Sequence, residues 1–158
     1  MSCLPSAPLN SLLYLSKKEL IALIDDLAMY DLAAELRQIV ETKILKKIYS
    51  LLSEEQKKLL KMAVAQRETI SFPRLGLDRW DRTEESLRYL LHRRGLVRLG
   101  AALSGQDPDL IWYLCHRLDI GRGSALFKFC ENKNIPGFTD IVLGQIEERL
   151  GKLHHKQL

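Results

Sequence analysis

The sequence has few of the residues that mark several large classes of protein. Its 3 cysteines, Cys3, Cys115 and Cys130, are too few and odd in number for a disulfide framework, which favours a reducing, cytoplasmic setting. With 9 glycines and 5 prolines in 158 residues it is neither collagen-like nor of low complexity. The uncharged stretch Met1 to Leu15 is too short to span a bilayer and lacks the basic start of a signal peptide.

The residues that are present predict a soluble globular protein, because 46% are hydrophobic and 28% are charged. We expect an N-terminal arm over residues 1–15, a single helical domain over 16–153 and a tail over 154–158. Within the domain, residues 16–68 read as a helical repeat, 69–104 as a winged-helix-like segment, and 105–153 as a second helical pair followed by a C-terminal helix.

Apolar residues at helical spacing predict an all-α fold, a compact right-handed array of seven or eight short helices. Ser16 with Glu19, and Ser53 with Gln56, have the spacing of capping boxes, and Asp107 precedes Pro108 as an N-cap. The sequence also predicts that these residues are buried: Leu20, Ile24, Leu36, Ile48, Leu60, Leu90, Leu114, Leu126, Ile141 and Ile146.

Several short signals predict where these helices break. We expect a corner at Met29 to Asp31 with Asp31 capping the next helix, and a helix that starts at Asp81 and ends at Gly95 before an extended Leu96 to Leu99. Gly121 and Gly123 predict a break before a helix that starts at Ser124, and Thr139 an N-cap. Only Thr69 to Phe72 has strand-like composition. A shift of 90 positions aligns Leu20 with Leu110, an indication of an internal repeat.

Positive charge is concentrated in one stretch. The net charge is +4, and Arg74 to Arg98 holds seven arginines against four acidic residues, which accounts for three of the four charges. Arginine suits bidentate contacts with phosphate or carboxylate. Two explanations of this stretch stay open. It is either a solvated helix face with ion pairs, or a surface that binds an anionic partner, which would be nucleic acid or an acidic protein.

Residues 54–98 resemble a winged helix-turn-helix in the order of their elements. These are a helix, a short element, a turn, a second helix at Arg82 to Arg94 and an extended exit. The resemblance implies that Arg82 to Arg94 is a recognition helix. Tyr89, Leu90 and Leu91 are expected in the core. Trp80, in a charged turn, either packs inward or meets a partner. The expected partner-binding residues are Arg82, Arg88, His92, Arg93, Arg94, Arg98 and Trp80.

Residues 16–64 carry a second resemblance. The runs Asp31-Leu-Ala-Ala-Glu-Leu-Arg37, Ile44-Leu-Lys-Lys-Ile48 and Leu52-Ser-Glu-Glu-Gln56 are similar to the helical repeats of the bacterial flagellar motor switch protein. That resemblance implies a non-enzymatic, armadillo-like scaffold, and related helical adaptors are expected in bacterial type III secretion machinery.

No pattern predicts catalysis, a metal or a cofactor. Asp25 and Asp26 are adjacent on a helix and point apart, and Cys115 and His116 diverge by about 100°. His154 and His155 have no acidic or cysteine ligand at metal-site spacing. Trp112 and Tyr113 are expected in the core and at its edge.

We therefore expect a cytoplasmic, non-enzymatic adaptor that binds a protein with an acidic surface or forms a homo-oligomer. The alternative is a winged-helix DNA-binding protein that uses Arg82 to Arg98.

Overall fold

The computed structural model describes the backbone of residues 7–66, 74–131 and 138–157, and the side chains of 9–66, 74–131 and 139–151. Within these ranges the chain is helical and contains no strand, which confirms the all-α prediction. The strand-like segment Thr69 to Phe72 lies outside the described residues. The α-helices are α1 (Ala7–Asn10), α2 (Lys17–Leu36), α3 (Thr42–Leu51), α4 (Glu54–Ala65), α5 (Glu84–Leu103), α6 (Pro108–Arg117), α7 (Ile120–Cys130) and α8 (Phe138–Gln157).

Local capping signals place three of these helix starts correctly. Before α2, the Ser16 hydroxyl accepts from the Glu19 N–H at 3.1 Å and the Glu19 carboxylate accepts from the Ser16 N–H at 2.9 Å. The same reciprocal pair joins Ser53 and Gln56 before α4. Asp107 caps α6, in which Pro108 is the first residue and needs no N–H partner.

The expected corner at Met29 to Asp31 is wrong, because α2 continues without interruption to Leu36. Met29 and Tyr30 are buried inside the helix. Asp31 does not cap a helix N-terminus; its carboxylate lies 3.3 Å from the Arg94 guanidinium of α5. Asp31 therefore pairs with a residue distant in sequence and has no capping role.

The predicted end of a helix at Gly95 is also wrong. A glycine inside a helix costs about 1 kcal/mol relative to alanine, and the buried residues Leu91, Leu96 and Leu99 continue the helical spacing across it. Residues 96–99 are therefore helical, not extended. The helix ends at Leu103, followed by Gly105 with a φ of 81°, the left-handed conformation that glycine adopts most easily after a helix.

Two further helix starts differ from the prediction. Asp119 caps α7, so Gly121 and Gly123 lie in its first turn and Ser124 inside it. Thr139 lies within α8, and its hydroxyl donates to the Ala101 carbonyl at 3.2 Å.

The N-terminal and C-terminal segments are more helical than expected. Pro8 lies within the first turn of α1, where a missing N–H breaks no helical bond, and a 3₁₀ turn follows at Ser11–Tyr14. At the other end α8 continues to Gln157, so the residues expected as a tail begin inside it. The proposed 90-residue repeat is not reproduced, because α2 is one helix whereas α6 and α7 are two.

The chain forms two compact units, residues 1–24 with 96–158, and residues 25–95, and their boundaries fall inside α2 and α5. Eight of the ten residues predicted to be buried are buried, whereas Leu90 and Ile141 are half-buried. In the first half of α5 the buried positions are Leu87 and Leu91, which places Leu90 at the edge of the apolar face.

Candidate protein-binding surfaces

The arginines of the predicted partner-binding set fall into two groups. Arg82, Arg88 and Arg93 are exposed to solvent on or beside the first half of α5. Acidic neighbours lie near two of them: the Arg88 guanidinium is 2.6 Å from the Glu84 carboxylate, one helical turn earlier, and that of Arg82 is 3.6 Å from Glu41. This part of α5 is therefore a mixed-charge face rather than a purely basic one.

Arg94 and His92 instead point into residues 25–95. The Arg94 side chain is 13% exposed and forms the ion pair with Asp31. Nδ1 of His92 lies 2.7 Å from the Asp25 carboxylate. Both contacts join α5 to α2 inside the unit, so these two residues have structural partners in place of an exposed contact surface.

Arg98 and Trp80, which complete the predicted set, are buried as well. Arg98 is 0% exposed, and its guanidinium donates to the Gln145 side-chain oxygen at 2.7 Å. Trp80 packs inward, the first of the two alternatives for it, and its indole N–H donates to the Thr83 carbonyl at 3.0 Å. Neither side chain presents its polar group to a partner in this structure.

Glu35 holds the loop that precedes α5. Its two carboxylate oxygens accept from the backbone N–H groups of Leu75 and Leu77, at 2.7 and 3.1 Å. These bonds fix the turn at Gly76, whose φ of 83° lies in the left-handed region. A groove of about 450 Å³ opens beside this loop and is lined in part by Trp80 and Tyr89.

Asp81 organises the start of α5, although it does not cap the helix as predicted. Its carboxylate accepts from the hydroxyls of Ser86 and Thr83 and from the Thr83 N–H. These bonds, led by that from Ser86, hold the pKa of Asp81 below its ordinary value. Thr83 is the cap, because its hydroxyl accepts from the Ser86 N–H at 3.3 Å.

Helix α3 carries a lysine surface that is not among the predicted partner-binding residues. Lys43, Lys46 and Lys47 are exposed and spaced at i, i+3 and i+4, so they lie on one face. The helix contains no acidic residue, and Ile48 is buried on its other side. The sequence signal was the absence of any acidic residue between Glu41 and Glu54.

Folding gives residues 25–95 a basic surface. Among the described residues of this unit, eleven exposed side chains are basic and seven are acidic. The exposed basic residues are Arg37, Lys43, Lys46, Lys47, Lys58, Lys61, Arg74, Arg79, Arg82, Arg88 and Arg93. The exposed acidic residues are Glu41, Glu54, Glu55, Asp78, Asp81, Glu84 and Glu85.

Helix α6 presents an aromatic face to solvent, contrary to the expectation that Trp112 and Tyr113 are core. Each is 55% exposed. Their rings meet edge to face with centroids 5.4 Å apart, and His116 stacks on Trp112 at 4.0 Å. The buried residues of α6 are Leu110 and Leu114, which lie about 160° around the helix from Trp112. Tyr89 of α5, also expected in the core, is likewise exposed.

The two cysteines within the described residues, Cys115 and Cys130, have the character of structural thiols. Burial raises the pKa of Cys115, and burial with the nearby Cys115 and Glu131 raises that of Cys130 to about 12. Among the described residues, no group of three or more His, Cys, Asp or Glu side chains could hold a metal ion. None of the described helices is both long and apolar enough to cross a membrane.

Comparisons with known proteins add no assignment to this geometry. No protein-family model, no curated protein and no solved structure matches the chain.

Proposed function

We propose that the protein is a non-enzymatic helical adaptor of the cytoplasm that binds an acidic protein through the basic surface of residues 25–95. The observation that supports this proposal most directly is the uneven exposure of charge. Asp31 and Glu35 are buried in internal contacts, while the lysines of α3 remain exposed. An exposed surface of one sign attracts partners of the opposite sign and accelerates their association.

The α3 lysines, together with the exposed Arg82, Arg88 and Arg93, are the contact residues of this proposal. The resemblance of residues 16–64 to motor switch repeats favours a bacterial secretion or flagellar-type assembly as the setting. A protein partner is favoured over DNA for a physical reason. Glu84 and Glu85 lie at the N-terminal end of α5, the end that a recognition helix directs at bases, and they would repel phosphates.

Two charge-reversed variants with a matched control test this proposal. One variant carries Lys43→Glu, Lys46→Glu and Lys47→Glu, and the other carries Arg82→Glu, Arg88→Glu and Arg93→Glu. The control carries Lys17→Glu, Lys18→Glu and Lys128→Glu, three exposed lysines of the other unit, so that all three proteins change by the same net charge. Each variant and the parent are used to capture proteins from a lysate of the cells that naturally make the protein, and the amounts captured are compared.

We expect the parent and the control to capture the same acidic proteins, and the α3 variant to lose them. Capture by all variants alike would contradict the proposal. A titration with duplex DNA at physiological salt separates the winged-helix alternative. We expect only non-specific binding, with Kd of about 10⁻⁴ to 10⁻⁶ M. Nanomolar, sequence-selective binding that the arginine variant loses would replace the adaptor by the DNA-binding function.

A further inference from the structure

The exposed face of α6 has a pattern that is complementary to itself. Asp109, Trp112, Tyr113 and His116 are all exposed, and their spacing confines them to about 100° of the helix surface. Asp109 lies three residues before Trp112, and His116 lies three residues after Tyr113. The face therefore has an aromatic centre, an acidic group towards one end and a basic group at equal distance towards the other.

We propose that this face binds the same face of a second copy of the chain, with the two α6 helices antiparallel around a two-fold axis between Trp112 and Tyr113. In such an isologous contact every pairing occurs twice. Trp112 then lies opposite the second copy's Tyr113, and Asp109 opposite the second copy's His116. A parallel arrangement would place Asp109 against Asp109, and the like charges would repel.

The local hydrogen bonds leave these groups able to make that contact. The Asp107 side chain, not that of Asp109, accepts the N–H bond that caps α6. Nδ1 of His116 lies 2.8 Å from the Trp112 carbonyl oxygen and donates to it, so Nε2 is the ring nitrogen that can donate to a carboxylate when the ring is charged. The stack of His116 on Trp112 holds the ring on the exposed face.

The chemistry of the centre favours association. Tryptophan and tyrosine are the residues that most often dominate protein interfaces, because they bury a large apolar area and keep one polar atom at the edge. One helix face buries less than the roughly 800 Å² per partner of a stable complex, so we expect a dimer with a dissociation constant in the micromolar range. The residues of this contact all belong to α6, and none of them is part of the basic surface of residues 25–95.

Sedimentation equilibrium over concentrations from about 1 µM to about 1 mM tests the proposal. The measurement is made at about pH 5, the acid end of the range in which histidine side chains generally lose their charge. We expect the average mass to rise from monomer to dimer. Trp112→Ala should raise the dissociation constant at least about tenfold, as expected for a central tryptophan. The control is Tyr89→Ala, an exposed aromatic residue of α5, which should leave it unchanged.

A charge exchange tests the antiparallel pairing itself. Asp109→Lys and His116→Glu should each weaken the dimer, and the double variant should restore it, because each new lysine then faces a new glutamate. Positions 109 and 116 are seven residues apart, about 10 Å along one helix, so they do not restore each other within a chain. Any damage to α6 itself would instead add up in the double variant.

Three results would overturn the proposal. The first is a monomer at every concentration, and the second is a dimer that Trp112→Ala leaves intact. The third is a double variant that dimerises more weakly than either single variant. The two test variants of the adaptor experiment change residues 43–47 or 82–93 and leave α6 intact, so failure of the α6 contact is distinguishable from failure of the proposed function.

Discussion

The two units are ordered by different kinds of contact. In the unit that contains residues 96–158, helices approach closely at glycines. A Cβ atom placed on Gly123 would lie 2.3 Å from the Cys115 carbonyl oxygen, and one on Gly100 would lie 2.5 Å from Cβ of Phe129. In residues 25–95, polar side chains of α2 hold a loop instead, as Glu35 does at Leu75 and Leu77.

The surfaces of the two units differ in the sign of their exposed charges. Among the described residues of the first unit the exposed charges are mostly acidic: Lys17, Lys18 and Lys128 against Asp107, Asp109, Glu131, Asp140 and Glu147. In residues 25–95 the exposed charges are mostly basic. Acidic side chains are used as internal anchors there, and this use leaves the outside basic. The sequence totals conceal the contrast, because they count buried and exposed charges alike.

The largest expected effect comes from the loss of the Glu35 anchor. Glu35→Ala leaves the Leu75 and Leu77 N–H groups without an acceptor, and an unsatisfied buried group costs about 1–3 kcal/mol. We expect the free energy of unfolding in urea to fall by about 2–4 kcal/mol. Glu35→Gln keeps one acceptor oxygen and should lose about half as much.

Glu41→Ala is the matched control for this anchor, because Glu41 is an exposed acidic residue of the same unit with an ion pair at 3.6 Å. Surface ion pairs contribute about 0–1 kcal/mol. If Glu35→Ala were as mild as Glu41→Ala, the loop would not depend on α2 and the contrast between the units would fail.

The next effect concerns the close helix contact of the other unit. Gly123→Ala forces a methyl group against a backbone carbonyl that has no flexible end to move, so we expect a loss of about 1–3 kcal/mol in the same urea measurement. Gly121→Ala is the control in the same helical turn, since its nearest neighbour would be the Asp119 side chain at 3.6 Å. Equal stability of the two variants would show that close packing at Gly123 is not needed.

These contacts also explain what the sequence predicted and what it did not. The capping boxes at Ser16 and Ser53 were predicted because both partners lie within four residues and the pattern is local. The continuity of α2 was missed because Asp31 is paired with Arg94, 63 positions away. In the candidate site, buried Arg98 was assigned to the surface because its partner, Gln145, lies 47 positions away in the sequence.

The face of α6 was misassigned for another reason. Leu110 and Leu114 flank Trp112 and Tyr113 in the sequence of this helix, so the sequence allows two apolar faces. Only the packing of Leu110 and Leu114 decides between them. The signal that could have separated the faces is the position of polar residues. Asp109 and His116 share the stripe of Trp112, and an aromatic stripe that ends in charged groups is typical of a surface.

The smallest expected effect is a pH dependence at the cap of α7, in the unit that otherwise depends on close packing. The Arg122 guanidinium lies 2.6 Å from the Asp119 carboxylate, and this hydrogen bond holds the pKa of Asp119 below its ordinary value of 3.8. Because the folded state lowers the pKa, the charged carboxylate stabilises the fold fully above pH 3.8, and this contribution is lost as the pH falls through the pKa of the folded state.

Asp119→Asn keeps a side chain that can cap a helix but removes the charge. We expect the parent to melt slightly higher than this variant at neutral pH, and the difference in Tm to vanish below the folded pKa. A difference that stays constant into strong acid would mean that the cap, and not its charge, makes the contribution.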